Sequence, residues 1–181
     1  MRKIVGALLF GVAPLVFCAP LKPAESAAVQ VVDQFVQGCF MSFPYPEKFA
    51  EWLAQPGFQK LSGTEASQYL AGNYGNAWNV QLDKSRFVLT SVGASTCNVF
   101  ANDLDEAMTK NLVVGFLDYL KTQGATYQAK NVTPDGAASV LSSTSYSVSM
   151  DGQVIVNLVV TVAPQGGGKF QIALSASKAG A

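Results

Sequence analysis

Near the C-terminal end of the chain, the dipeptide Asp151-Gly152 separates two runs in which polar and apolar side chains alternate. Asp-Gly in this setting is a strong signal for a two-residue β-hairpin, because both turn positions need positive φ. The turn pairs Met150 with Gln153 and predicts long antiparallel strands over 138–150 and 153–163. The fold must therefore contain an antiparallel sheet on which the other elements pack.

The same register sets a row of serines opposite aliphatic side chains. Continued along the strands, it pairs Val148 with Ile155 and Tyr146 with Asn157. On the other face it pairs four serines with four aliphatic residues, namely Ser143, Ser145, Ser147 and Ser149 with Val160, Leu158, Val156 and Val154. The serine row has three explanations: a shallow face on which a helix packs closely, a strip that binds a partner, or an ordinary wet side of an antiparallel sheet.

The clearest helix is predicted over 103–123. Its apolar residues recur every four positions as one stripe, Leu104, Met108, Leu112, Phe116 and Leu120. Asp103 and Glu106 have the spacing of a capping box, and Glu106 can pair with Lys110 one turn later. Gly124 suits the left-handed residue that ends many helices. We expect this helix to lie across the sheet.

Three shorter helices are predicted in the N-terminal half. Apolar spacing over 27–40 predicts an amphipathic helix with Cys39 on its buried face. Two prolines interrupt it, and the second, Pro46, suits the first turn of another short helix. A third helix is expected over 64–70, with Thr64 as its cap.

The remaining alternating runs predict five more strands, over 78–82, 86–92, 96–101, 125–132 and 169–176. Helices that are separated from runs of strands indicate an α+β fold. We expect one α+β domain over 27–181, in which a mostly antiparallel sheet carries one long helix. Two or three short N-terminal helices precede it.

The first residues have the pattern of an export signal. Arg2 and Lys3 precede an apolar run over 4–17 that is shorter than the ~20 residues of a membrane-spanning helix. Small residues follow, so we predict a signal peptide over 1–26, with cleavage after Ser26 or Ala28. The protein is then periplasmic or secreted, with no transmembrane segment in the mature chain. Lipid attachment at Cys18 is the alternative, although the bulky Phe17 precedes it.

Removal of that signal leaves two cysteines, Cys39 and Cys97. Exported proteins meet an oxidising environment, so the two are expected to form a disulfide that ties the first helix to a strand. Cys97 shares a strand face with Val99 and Ala101, which predicts that it points inward. Two separate buried thiols are the alternative.

Several classes of site are excluded by composition. The chain has no histidine, which removes Ser-His-Asp and Cys-His catalysis and histidine metal sites. It has 12 basic and 12 acidic residues, so no surplus of positive charge indicates nucleic-acid binding. Glu47 and Glu51 fit a solvated helix face, and Asp103, Asp105 and Glu106 fit the start of a helix. No cofactor or metal is expected.

Aromatic residues are the remaining candidates for a binding site. They crowd into the proline-rich segment 40–58, and others follow shortly after it. The candidate binding residues are Phe43, Tyr45, Phe49, Trp52 and Tyr74. Either these rings fill the space between helices and sheet, or some form an exposed patch, since Tyr and Trp are favoured anchors at binding sites.

A family resemblance accompanies these features. The order of Phe35 and Cys39, then Pro56-Gly57-Phe58, Trp78 and Cys97-Asn98-Val99, resembles small exported proteobacterial proteins of unassigned function. The resemblance covers roughly 29–100 and implies a disulfide-bridged envelope domain. It implies no catalytic residue.

The function expected from these observations is a non-enzymatic binding or interaction protein of the envelope or the exterior. Its partner is expected to be another envelope or secreted protein, and an inhibitor or immunity-type role is one form of this. Substitution of Tyr45 or Trp52 is expected to weaken binding and to leave the fold intact. The alternatives are an envelope hydrolase that uses Asp/Glu or Ser-Lys chemistry, and a carrier of a small molecule or lipid.

Overall fold

The computed structural model of the protein describes residues 20–132, 142–163 and 170–179. In these ranges the chain forms eight strands: β1 Phe58–Lys60, β2 Gly75–Gln81, β3 Arg86–Val92, β4 Thr96–Ala101, β5 Thr126–Val132, β6 Ser142–Met150, β7 Gln153–Val162 and β8 Ile172–Lys178. All pair antiparallel in one sheet of order β1-β2-β3-β4-β8-β7-β6-β5. The α+β prediction with a mostly antiparallel sheet is confirmed.

Two antiparallel meanders meet at the centre of this sheet. Strand β4 pairs with β8, with Val99 opposite Leu174. The long helix α4, Glu106–Thr122, connects β4 in the centre to β5 at the edge. It crosses one face of the sheet, and its buried Val113 and Leu117 join the same core as Leu158 of β7.

Helices α1, Pro23–Phe35, and α2, Pro46–Leu53, pack on the same face as α4. Helix α3, Gly63–Leu70, lies on the other face, where Ala66 and Leu70 cover Ala77 of β2. The sheet is therefore covered by most of its helices on one side and by one short helix on the other.

The helix predicted over 27–40 differs from the observed one at both ends. Helix α1 begins at Pro23, where the Glu25 carboxylate accepts the Lys22 backbone N–H at 2.8 Å. From Val36 to Ser42 the chain continues as a π-helix, marked by the bond from the Phe43 N–H to the Gly38 carbonyl at 2.7 Å. Cys39 lies in this π-helix and is buried, as predicted. The segment 4–17 and Cys18 lie outside the described residues.

Helix α3 begins one residue before its prediction, with a different cap. Ser62, not Thr64, is the N-cap: its side chain accepts from the Glu65 N–H, and its own N–H donates to the Glu65 carboxylate at 3.0 Å. These bonds hold the pKa of Glu65 below its ordinary value, chiefly through the Ser62 hydroxyl, which donates to the carboxylate at 2.7 Å. Strand β1 was not predicted, because three residues are too few to show alternation.

Helix α4 begins later than predicted, and its buried stripe is displaced by one residue. Asp105, rather than Asp103, caps it by accepting the Met108 N–H at 2.7 Å. Its fully buried side chains include Thr109, whose hydroxyl donates to the Asp105 carbonyl and needs no other partner. Of the predicted stripe, Leu104 is buried just before the helix, and Met108, Leu112, Phe116 and Leu120 are half-buried. The Glu106–Lys110 ion pair and the positive φ of Gly124 are confirmed.

The hairpin of β6 and β7 has the predicted turn, but its register changes one residue later. Met150 pairs with Gln153 and Ser149 with Val154, after which a bulge shifts Val148 to Val156. The predicted partners of the other three serines are therefore wrong, since Ser147, Ser145 and Ser143 pair with Asn157, Val159 and Thr161. Instead the Ser147 hydroxyl donates to the side-chain oxygen of its partner Asn157 at 2.9 Å. The serines lie on the face opposite Tyr146 and Val148, so α4 does not pack on them.

The disulfide between Cys39 and Cys97 is present, with a Cα–Cα distance of 5.3 Å. It joins the π-helix to the central strand β4, and both cysteines are buried. This bond fixes one end of the helical layer to the sheet.

Candidate functional site

An apolar groove lies where the π-helix and the segment that follows it face the ends of β7 and β8. It consists of two neighbouring cavities of about 540 Å³ and about 330 Å³. Phe43 and Lys178 line both cavities. We call this pair of cavities the aromatic groove.

The larger cavity has an apolar wall from each side. The helical side contributes Phe40, Met41, Phe43 and Tyr45, and Cys39 of the disulfide lies among them. The sheet side contributes three consecutive aliphatic residues of β7, Val154, Ile155 and Val156. The disulfide therefore ties one wall of the cavity to the sheet.

The smaller cavity reaches the aromatic cluster beneath α2. Phe49, Leu53 and Trp78 line it. The Phe43 ring meets the Phe49 ring edge-on, with centroids 5.2 Å apart, and Phe49 stacks on Trp52 at 5.8 Å. A continuous series of rings thus connects the groove to the core.

The structure places the five predicted binding residues in three different environments. Phe43, Tyr45 and Phe49 line the groove. Trp52 is 4% exposed and packs below them in the core. Tyr74 is 96% exposed and lines neither cavity, although its carbonyl accepts from the Gly93 N–H at 3.1 Å. The expectation that Trp52 belongs to a surface patch is therefore corrected.

Four large apolar side chains at the larger cavity are exposed: Met41 is 57% exposed, Tyr45 56%, Val154 44% and Ile155 43%. Three of them, Met41, Val154 and Ile155, were not predicted as site residues. The run Val154-Ile155-Val156 interrupts the alternation of β7, and the bulge lies within it. Exposed apolar side chains that adjoin one another mark interaction surfaces.

The charge of the groove comes from Lys178. Among the described residues, neither cavity has an aspartate or glutamate in its lining. The ion pairs of the described chain are Lys22–Glu25, Lys110–Glu106 and Lys121–Asp118, so Lys178 takes part in none. Nearby, the ammonium of Lys48 lies 4.6 Å from the centroid of the Tyr45 ring.

A third cavity, of about 800 Å³, lies at the N-terminal end of α1, and its lining is about equally polar and apolar. It contains two carboxylates, Asp83 and Asp103, together with Lys84 and Arg86. All four residues are exposed. Carboxyl groups that act as general acids or bases are commonly held in a desolvated cleft, whereas these two lie on the open surface. The aromatic groove is therefore the better candidate site.

The other predicted carboxylates have structural roles. Asp105 caps α4, and Glu106 pairs with Lys110 at its first turn. Glu47 lies in the first turn of α2 and Glu51 is exposed later in the same helix. In the described part of the chain, no three Asp, Glu, Cys or His side chains gather as metal ligands.

Comparison of the chain with protein-family models, with curated proteins and with solved structures finds no match. The resemblance to small exported proteobacterial proteins stays a prediction. None of the helices within residues 20–132, 142–163 and 170–179 has both the length and the apolar character needed to cross a membrane. A functional proposal for this chain rests on the groove.

Proposed function

We propose that the protein is an exported, non-enzymatic binding protein whose aromatic groove receives an apolar segment of another envelope or secreted protein. The observation that carries this proposal is the set of four exposed apolar side chains beside a groove of about 540 Å³. Burying such side chains against a partner releases about 25 cal/mol for each Å² of apolar surface removed from water. An inhibitor or immunity-type protein is one form that this function takes.

The arrangement of the groove supports specific binding. Its helical wall is tied to β4 by the Cys39–Cys97 disulfide, and its deep end is backed by the Phe49, Trp52 and Trp78 rings. A rigid apolar site loses little conformational freedom when a partner binds, so more of the contact energy appears as affinity. Tyr45 at the rim is the kind of residue that dominates such interfaces.

Two tyrosines provide a matched experiment. Tyr45 lines the groove and is 56% exposed, whereas Tyr119 on α4 is 59% exposed and lies outside it. The oxidised, tagged protein and its Tyr45→Ala and Tyr119→Ala variants are used for quantitative capture from an extract of the compartment to which it is exported. The proposal predicts one partner that wild type and Tyr119→Ala retain equally and that Tyr45→Ala loses at least about tenfold.

Circular dichroism and urea unfolding of both variants establish that the fold is intact. If both variants retain the same partner to the same extent, the groove is not the binding site. If no protein is captured by the correctly oxidised wild type, the proposed protein partner is wrong.

A carrier of a small apolar molecule is the second candidate function. The observation that favours it is the volume of the larger cavity, about 540 Å³, which falls in the range of ligand sites. Native mass spectrometry of protein purified from its own host distinguishes the two. A small molecule that is bound to wild type and lost from Tyr45→Ala supports the carrier function. If wild type carries no small molecule, binding of a protein partner stays the proposal.

A further inference from the structure

We propose that the groove recognises the C-terminal end of the partner's polypeptide chain. The free α-carboxylate pairs with Lys178, and one apolar side chain enters each of the two cavities beside Phe43. This inference rests on the proposed function and adds which part of the partner binds.

Lys178 is well placed for this role. Its backbone N–H donates to the Ser95 carbonyl at 2.9 Å, so the end of β8 is held against the turn between β3 and β4. Its side chain starts beside Val156, its partner on β7, in apolar surroundings. A lysine stem packs on such a surface and leaves the ammonium at the rim.

The charges of the lining favour an anionic group. Lys178 is the residue of opposite charge that a carboxylate needs, and it is not used by any ion pair of the described chain. The described residues of the lining include no acidic side chain. A bound carboxylate is therefore attracted by the Lys178 ammonium and is not repelled by an acidic side chain of the lining. An apolar internal segment of a partner carries no carboxylate and leaves this charge unmatched.

The two-cavity layout favours a peptide. In an extended peptide the side chains of residues i and i+2 point the same way, about 7 Å apart. The last residue and the residue two positions before it can therefore occupy the two cavities, both of which Phe43 lines. The terminal carboxylate then lies near Lys178, which both cavities share. A single acyl chain fills one cavity and leaves the other empty.

The test measures the anisotropy of a labelled peptide, Gly-Ser-Gly-Phe-Ser-Phe, with either a free C-terminal carboxylate or a C-terminal amide. Wild type is expected to bind the acid about fivefold more tightly than the amide, as fits an exposed ion pair. Lys178→Gln removes the difference, and Lys178→Glu reverses it. High salt reduces the difference in wild type. Lys130→Glu, on exposed β5 outside the groove, keeps the wild-type preference.

Each other outcome overturns the inference. Equal binding of acid and amide, with both lost in Tyr45→Ala, removes the carboxylate from the recognition and leaves the proposed function standing. No binding of the acid peptide at millimolar concentration also rejects C-terminal recognition. If dodecanoate binds in a Lys178-dependent way and neither peptide does, both the inference and the protein partner are wrong, and the carrier is favoured.

Discussion

The indole ring of Trp52 lies directly over Gly38, so close that a Cβ on residue 38 would overlap the ring. This contact joins α2 to the π-helix and fixes the segment between them, which contains Phe43 and Tyr45. The shape of the aromatic groove therefore depends on a residue that has no side chain.

Replacement of Gly38 by alanine is expected to destabilise the protein, because the added methyl group must displace a packed aromatic ring. Overpacking of this kind costs about 1–3 kcal/mol. Urea unfolding measures the change. Gly115→Ala is the matched control, since Gly115 is in α4 and a Cβ there meets nothing within 4 Å. Alanine at that position should stabilise the helix by up to about 1 kcal/mol. Equal effects of the two substitutions would contradict the packing described for Trp52.

Trp52 and Tyr45 are expected to separate stability from binding. Trp52 is buried, so Trp52→Ala should cost about 3–5 kcal/mol of unfolding free energy. Tyr45 is exposed, so Tyr45→Ala should change stability by no more than about 0.5 kcal/mol. Chemical denaturation of both variants, beside the capture experiment, checks this. A large loss of stability in Tyr45→Ala would contradict the position of Tyr45 at the rim. The effect of that substitution on binding would then say nothing about the groove.

Loss of the disulfide is expected to weaken both the fold and the groove. The cysteines are 58 residues apart, and a bridge of that span contributes about 4 kcal/mol in the chain-entropy account. The double variant Cys39→Ala/Cys97→Ala should therefore unfold at much lower urea concentration. Addition of a reductant to wild type should approach the same midpoint. An unchanged midpoint in the double variant would show that the π-helix is held by packing alone.

If the proposed export signal is removed, the mature chain is expected to begin before Lys22. Cleavage after Ser26 or Ala28, as the sequence predicts, would cut within α1. It would remove Ala24, whose carbonyl accepts the Asp105 N–H at 3.2 Å, and the bond between Lys22 and Glu25. Since these contacts start α1 and join it to the start of α4, we expect processing upstream of them. Intact mass of the exported protein checks this, and a chain that starts at Ala27 or Val29 would contradict it.

Local patterns predicted the strands most accurately. The bounds of β3 and β4 agree with the prediction at both ends, because charged or glycine turns bound both strands and β4 alternates clearly. The Asp151-Gly152 turn is also as predicted. The bulge one residue later was missed because the sequence does not show how β7 packs on the core at Val156 and Val160.

Helix ends and caps were predicted less well. The pattern favoured Thr64 and Asp103, but Ser62 and Asp105 cap the two helices. Candidate caps stand close together in both places, and tertiary contacts decide between them. Burial of Thr109 likewise depends on a bond within the helix that a polarity pattern does not contain.

The candidate site was predicted in part. The crowded aromatic residues identified one wall of the groove, but not that Trp52 turns into the core. Ile155 and Lys178 lie more than 100 positions away from Tyr45 and come beside it only through the sheet order. No local pattern relates them, so the other wall and its charge were not predictable.

The most direct test of the groove as a binding site uses a photoreactive benzoylphenylalanine at position 45 or position 119, in cells that export the protein. The two positions are about equally exposed, and only Tyr45 lines the groove. The account predicts a discrete crosslinked adduct from position 45 and none from position 119. An adduct from position 119 alone, or none from either position, would contradict it.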